Sequence, residues 1–419
     1  MRTNTMPAPP RSGGPRGELA VVPHSPLRAF AAEKLFRFAV RRLPVRICLP
    51  GGERLGAGGP DAPVMRIERP ATFFHRLGAD AKIGFGESYM AGDWSSPDLA
   101  ELLTPFAERM ALLVPPPLQA LRRWVDARQP RTERNTVDGA RHNIHRHYDL
   151  SNELFAQFLD ETMTYSSAWF EAPTAGEDSG AVLAGAQRRK IDAILDLADV
   201  HKGTRVLEIG TGWGELAVRA ARRGALVTSI TISGEQRDLA LRRVAEAGLS
   251  DRVQVLLRDY RQAEGDFDAV VSVEMIEAVG AEYWRTYFGA VDRLLVPGGR
   301  FALQAITMPH DRMLATRDSY TWIHKYVFPG GQLLSVPAIE QTIAAHTALR
   351  IEQRRELGTH YARTLSLWRE RFLSRWPGIT PLGFDETFRR MWEFYLAYSE
   401  AGFRGNYLNV WQFGMTKTR

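Results

Sequence analysis

The chain has 419 residues, 44% hydrophobic and 24% charged, enough for a large buried core and more than one domain. Its net charge of +6 suits an anionic surface, and no zinc-finger, helix-turn-helix or RNA-binding signature directs that charge toward nucleic acid. A single cysteine, Cys48, excludes an internal disulfide and a cysteine-based zinc cluster. No apolar run is long enough to span a bilayer. A cytoplasmic chain is expected.

In chain order, residues 1–20 hold Arg, Pro, Gly and Ser without the apolar stretch of a secretory leader, and read as a disordered tail. Residues 26–43 predict an amphipathic helix. Leu27, Phe30, Ala31, Leu35, Phe38 and Ala39 fall on one face, and Arg28, Arg37 and Arg41 on the other. Such a helix suits the inner face of a membrane; packing of its apolar face against the rest of the protein is the alternative. Short strands and turns follow over 46–72, and a Gly- and aromatic-rich ordered loop over 83–94. A helical stretch then runs to about residue 127, broken by Pro115, Pro116 and Pro117. Together, residues 21–127 form an N-terminal lipid- or membrane-associated domain, and the polar, Arg-rich 128–141 is a linker.

From 142 to 419 the pattern is that of an α/β domain. Strands are expected at 205–209, 226–231, 253–257, 269–273 and 300–305, with helices between them at 215–223, 234–247 and 282–294. Strands alternating with helices imply right-handed crossovers and a doubly wound, Rossmann-like parallel sheet. From about 336 the chain reads as mostly helical. Its aromatics Trp368, Phe372, Trp392, Tyr395, Tyr398 and Phe403 suggest a layer packed over the active face.

The strongest local motif is VLEIGTGWG (206–214), a hydrophobic strand running through Gly210, Gly212 and Gly214 into a helix. Glycines there let a ligand approach the main chain. Gly-x-Gly alone is shared with dinucleotide-binding proteins. Here, however, Glu208 precedes it, the third glycine of the dinucleotide spacing is missing, and no phosphate-binding basic residue follows. The second strand ends in Thr231, Ser233 and Gln236, polar groups suited to a ribose or an amino acid. The third ends in Asp259 and Tyr260, suited to an adenine. These line the carboxyl ends of adjacent strands, where open α/β sheets bind ligands. The combination favours S-adenosylmethionine (SAM) over NAD or FAD, and so a methyltransferase.

HYDLSNELF (147–155), TYSSAWF (164–170), SVEMIEAVG (272–280), WIHKYVFPGG (322–331), HYARTLSLWRERF (360–372) and SEAGFR (399–404) occur in one order around this motif. From about residue 80 onward the chain resembles the cyclopropane-fatty-acyl-phospholipid synthase and mycolic acid methyltransferase family. EMIEAVG and QAITMPHDRMLATRD are similar to its actinobacterial branch, which builds 10-methylene or 10-methyl (tuberculostearic-type) chains. The resemblance implies SAM contacts at Tyr165, Ser166, Glu208, Gly210, Gly212, Trp213, Gly214, Thr231, Ser233, Gln236, Asp259 and Tyr260. It also implies a cis alkene of a phospholipid acyl chain, oleoyl above all, that attacks the sulfonium methyl to leave a carbocation. Loss of a proton from the new methyl with ring closure gives a cyclopropane, and loss without closure a methylene group; a hydride shift can precede it. The further partners this reading brings are an anionic membrane surface, a second copy of the chain and a separate reductase for the methylene product.

Cyclopropane synthases of the family bind bicarbonate as the base. Glu277, Tyr361 and the backbone at Ile306 match that site. Ser167, Ala278 and Gln304 depart from it, standing where Cys, His and His are found. Glu274 occupies a position that is Gly in some relatives, and Glu161 one that can be Pro. The expected catalytic set is therefore Glu277, Tyr361, Glu161, Glu274, Gln304 and Ser167, with a protein carboxylate where the anion would sit. Glu277 as a helix-terminal carboxylate and Tyr361 as a core tyrosine are the plain alternatives. No metal is expected, because His147, His310, His324 and His360 lack a ligand spacing.

Overall fold

The computed structural model describes residues 19, 21–110, 130, 135–136, 139–140, 151–171 and 179–418. The tail at 1–18, the prolines at 115–117 and most of the linker lie outside the described residues.

The N-terminal part runs α1 (Pro26–Val40), β1 (Arg46–Cys48), β2 (Arg54–Leu55), β3 (Val64–Ile67), α2 (Pro70–Ala79), α3 (Ala81–Met90), β4 (Trp94–Ser95) and α4 (Leu99–Glu108). Its four strands form a small sheet in the order β2-β1-β3-β4. Asp80 caps α3 by accepting from the N–H groups of Lys82 and Ile83, and Asp98 caps α4 through Glu101 N. Each such cap is worth about 1 kcal/mol.

One expectation for this region is corrected, and one alternative is decided. The stretch 83–94 is mostly helix, not loop. Gly84 and Gly86 serve close packing rather than turning: a Cβ on Gly84 would lie 2.1 Å from Arg76 O, and one on Gly86 would lie 2.5 Å from the Trp322 ring. Helix α1 forms where expected, but its inward contacts come from Ala29, Phe36 and Val40. The face carrying Leu27, Phe30, Leu35 and Phe38 is open, with Leu27 86% and Phe30 62% exposed.

The larger part continues with α5 (Asn152–Phe158), α6 (Ser179–Leu197), β5 (Arg205–Ile209), α7 (Glu215–Arg222), β6 (Leu226–Thr231), α8 (Gly234–Glu246), β7 (Val253–Leu257), β8 (Phe267–Val273), α9 (Trp284–Leu294) and β9 (Leu295–Thr307). Then come α10 (His310–Thr316), α11 (Trp322–Tyr326), α12 (Val336–His346), β10 (Leu349–Glu356), α13 (Gly358–Ser374), α14 (Trp376–Ile379), α15 (Glu386–Arg404) and β11 (Asn409–Lys417). Seven strands form one sheet in the order β10-β11-β9-β8-β5-β6-β7. All expected strands are present. The C-terminal region also supplies two strands that its helical reading omitted: β11 runs antiparallel between β9 and β10 and completes the sheet.

The chain reverses direction across the sheet between β5 and β8, which pair in parallel. That switch point leaves a crevice at the strands' carboxyl ends. Apolar layers cover both faces, one built on α6, α7 and α8 and the other on α9 and α12. A third core joins the N-terminal helices to α13 and α15 and contains the expected aromatic layer, with Trp368, Phe372, Trp392 and Tyr395 buried. Tyr398 is 40% exposed and falls outside that core. Asn135, inside the expected linker, is buried and donates to Gly330 O at 2.8 Å.

Candidate active site

The loop after β5 takes the shape its glycines require. Gly210, Gly212 and Gly214 have φ of +97°, +52° and +92°. Among the described residues, no atom beyond the chain neighbours lies within 4 Å of a Cβ built on Gly212 or Gly234, so the main chain there borders open space that a ligand can fill. Ser233 caps α8 by accepting from Gln236 N at 3.2 Å, and Thr231 Oγ1 donates to Gln236 Oε1 at 2.9 Å. Asp259 and Tyr260 are buried at the end of β7, with Arg261 paired to the Asp259 carboxylate at 2.6 Å. Trp213 is buried and donates through Nε1 to Asn152 Oδ1 at 2.7 Å, which ties the loop to α5. This cradle suits SAM: backbone approach at Gly212 and Gly234, polar groups at Thr231, Ser233 and Gln236, an acid and a ring at Asp259 and Tyr260.

Glu208 points beneath the cradle rather than into it. Its Oε2 accepts from Ser229 Oγ at 2.5 Å, and burial pushes the carboxyl up to about 8. Near it lies Lys190, only 1% exposed, whose ammonium donates to Ser166 Oγ at 2.5 Å. Burial lowers that amine to about 8, against the charges of Glu274, Asp160 and Glu208. Gln187, also on α6, donates to Thr164 O and Ser166 O. In this way α6 clamps the segment 164–168 to the end of the sheet. Tyr165 lies flat on Trp368, 5.2 Å between ring centres, and its hydroxyl meets that of Tyr395 at 2.7 Å.

Three expected catalytic residues converge on the carboxylate of a fourth, Glu274. Glu274, just past β8, has a left-handed φ of +48°, a conformation that costs a non-glycine residue about 1–3 kcal/mol and concentrates at functional sites. It turns the side chain under segment 164–168. Glu274 Oε1 accepts from Ser167 N at 2.9 Å and Gln304 Nε2 at 2.7 Å, while Oε2 accepts from Tyr361 OH at 2.8 Å. The part of Ser167 that takes part is its backbone N–H; the hydroxyl donates to Ala168 O. Burial raises the Glu274 carboxyl above the ordinary range, and Lys190 with the three donors works against that rise.

Glu277 lies one turn on. Its Oε1 accepts from Ile306 N at 2.5 Å, and its Oε2 is buried with no hydrogen-bond partner among the described residues. Burial first, then the neighbouring charge of Glu274, pushes this carboxyl up to about 8. Two close carboxylates in a low-dielectric pocket cannot both ionise cheaply, and the three donors with Lys190 favour the charged form at Glu274 rather than at Glu277. Glu161 does not join them. It is a surface residue paired with Arg188 at 2.5 Å, and Ala278 is exposed.

Residues 135–413 match the family described as mycolic acid cyclopropane synthetase. The chain belongs to this family. It is a SAM-dependent methyltransferase of lipid chains. The chain is 53% identical over 403 residues to the tuberculostearic acid methyltransferase UfaA1 of Mycobacterium tuberculosis, covering 95% of this chain and 94% of that protein. It is 35% identical over 363 residues to the cyclopropane-fatty-acyl-phospholipid synthase of Escherichia coli, covering 83% and 86% of the two. The fold is similar to that of the mycolic acid cyclopropane synthase CmaA1 solved in complex with SAH and CTAB. The TM-score is 0.59 at 30% identity, over 69% of this chain and 99% of that one.

Lys190, Gln187, Gln412, which donates to Gln304, and Thr364, whose Oγ1 accepts from Ala168 N at 3.1 Å, support the site, and none was visible as a site residue in the sequence. Lys190 ends a Gln-Arg-Arg-Lys run that reads as a solvated helix face. Gln412 did leave a signal: it is a polar residue within the apolar run VWQFGM.

Proposed function

We propose that this enzyme methylates the cis double bond of an unsaturated, phospholipid-bound acyl chain, oleoyl above all, and releases a 10-methylene chain. The observation that carries the proposal is the Glu274 carboxylate, held by Ser167 N, Gln304 and Tyr361. SAM would supply the methyl group to one alkene carbon, its sulfur leaving as S-adenosylhomocysteine, and the other alkene carbon is left one bond short and positively charged. Placed beside that charge, a fixed carboxylate stabilises it and takes the proton. A hydride shift moves the charge to the methyl-bearing carbon. Loss of a proton from the new methyl to Glu274 then closes a C=CH2 bond. A second anion beside Glu274 would meet its charge at short range, so a fixed carboxylate disfavours bicarbonate. The similarity to a tuberculostearic acid methyltransferase favours the methylene product over the cyclopropane alternative.

The same reading puts the enzyme at a membrane surface. Among the described residues no helix is long and apolar enough to cross a bilayer, whereas α1 offers an apolar face to solvent. Lys34 and Arg41 lie over the rings of Phe30 and Phe38, 5.2 and 4.1 Å from their centres. Apolar rings flanked by cations suit an anionic interface.

The deciding experiment supplies SAM and oleoyl phospholipid vesicles to the purified protein, with and without bicarbonate, and identifies the acyl product by mass spectrometry and NMR. The expected result is a methylene chain at a rate unaffected by bicarbonate. A cyclopropane formed only with bicarbonate present would overturn the proposal.

A further inference from the structure

Gln412 lies in the middle of β11 and is fully buried. Its Nε2 donates to Gln304 Oε1 at 3.0 Å and Lys190 O at 3.2 Å, and its Oε1 accepts from Arg355 Nη1 at 3.1 Å. An amide can in principle face either way, but these neighbours leave no choice. A guanidinium only donates and a peptide carbonyl only accepts, so Gln412 has one satisfied orientation.

That orientation propagates. Because Gln412 offers a donor, Gln304 must turn its Oε1 toward it and its Nε2 toward Glu274 Oε1, at 2.7 Å, and Ser167 O, at 3.4 Å. A flipped Gln304 would set its oxygen against a carboxylate and a carbonyl, three acceptors without a donor in a buried site. The result is a directed chain of hydrogen bonds from half-exposed Arg355, stacked on Trp169 at 4.4 Å, through two glutamines to the reacting carboxylate.

We infer that Gln412, oriented by Arg355, is a positioning residue that fixes the polarity of Gln304 so that a donor faces Glu274. The inference rests on Glu274 acting as the base. With Gln412 gone, Gln304 is free to flip, and a flipped amide stabilises the protonated carboxyl, which cannot accept a proton. The enzyme then needs a higher pH to reach the same rate.

The test is the pH dependence of kcat for the full-length wild type, Gln412→Met and Arg355→Met, with SAM and oleoyl phospholipid vesicles. Gln412→Met keeps the volume and removes both polar groups. Its kcat at neutral pH should fall about tenfold and the rising limb should move up by about one pH unit, one unit of pKa being tenfold in the ionised fraction. The KM for SAM should stay within about twofold, because the chain does not touch the cradle. Arg355→Met, at a half-exposed position, should move the limb the same way by less. An unmoved limb in folded, SAM-binding Gln412→Met overturns the inference. If that variant does not fold, an unmoved limb in Arg355→Met does so. Glu274→Gln separates the two claims: full activity there removes the base itself, whereas an inactive Glu274→Gln with unmoved limbs removes only the role of Gln412.

Discussion

The Tyr361 hydroxyl donates to Glu274 Oε2 at 2.8 Å although 87 residues separate the two. Tyr361 stands on the first turns of α13, and Glu274 on the strained turn after β8. Their contact joins the aromatic helical layer to the end of the sheet, so the carboxylate is positioned by both halves of the domain at once. Burial and the charge of Glu274 hold the phenol well above its ordinary value of 10.0, so it remains a donor at any pH the enzyme meets.

Replacing Glu274 with Gln removes the proton acceptor and keeps the shape. Turnover should fall about 10²–10⁴-fold, the usual contribution of a general base, with SAM affinity near that of the wild type. Steady-state kinetics with calorimetric SAM titration checks both, and bicarbonate should not restore activity. A loss below tenfold would take the base's role from this residue.

Glu277 makes stability depend on pH. Its carboxyl sits at about 8 in the fold against an ordinary 4.5, so the folded state favours the neutral form. Its contribution is full below the unfolded value and is lost as pH rises through about 8. Glu277→Gln is neutral at every pH. The wild-type Tm should therefore drop relative to this variant between pH 4.5 and 8, in paired thermal melts. A constant Tm difference across that window would show that Glu277 is ionised in the fold throughout.

Gly212→Val tests the cradle. At φ +52° a β-branched residue costs about 1–3 kcal/mol in backbone strain. The space around its Cβ is open, so the fold should survive with a lower Tm. The side chain would occupy the approach to the main chain, and calorimetric titration should detect no SAM binding. Wild-type affinity would place the cofactor elsewhere.

For α1, Leu27→Ser with Phe30→Ser should weaken binding to anionic vesicles by about a hundredfold or more, since each large side chain gains about 1.5–3 kcal/mol on burial. Binding should also weaken with salt, as about 1 kcal/mol per surface cation is screened. Lys34, Arg41 and Arg42 are the cations to neutralise. Arg37 is held by Glu33 and Glu53, so Arg37→Gln should change binding little. Vesicle co-sedimentation of these variants decides the matter, and wild-type binding by the serine pair would count against α1 as the contact.

By itself the sequence determined the five parallel strands of the sheet and the glycine loop after β5, because both are local. Strands β5, β6 and β7 are rich in Val, Leu and Ile and are followed by the glycines, serines and acids that turn the chain toward a ligand, so their places could be read within a few residues. The missed strands β10 and β11 are polar or mixed: β10 is LRIEQRRE, an edge strand whose charges point into solvent. Only pairing with β9 through β11 makes it a strand. The same holds for the site. Motif order singled out Glu274, Gln304 and Tyr361 as well as Glu161, but the tertiary fold alone gathered the first three and left the last at the surface with Arg188. Which face of α1 meets water, and which way Gln304 points, were settled by distant partners, Phe73 and Phe74 against Phe36 and Arg355 through Gln412. An amphipathic pattern shows that a helix has an apolar face without saying what covers it, and an amide in a sequence carries no orientation until its neighbours arrive.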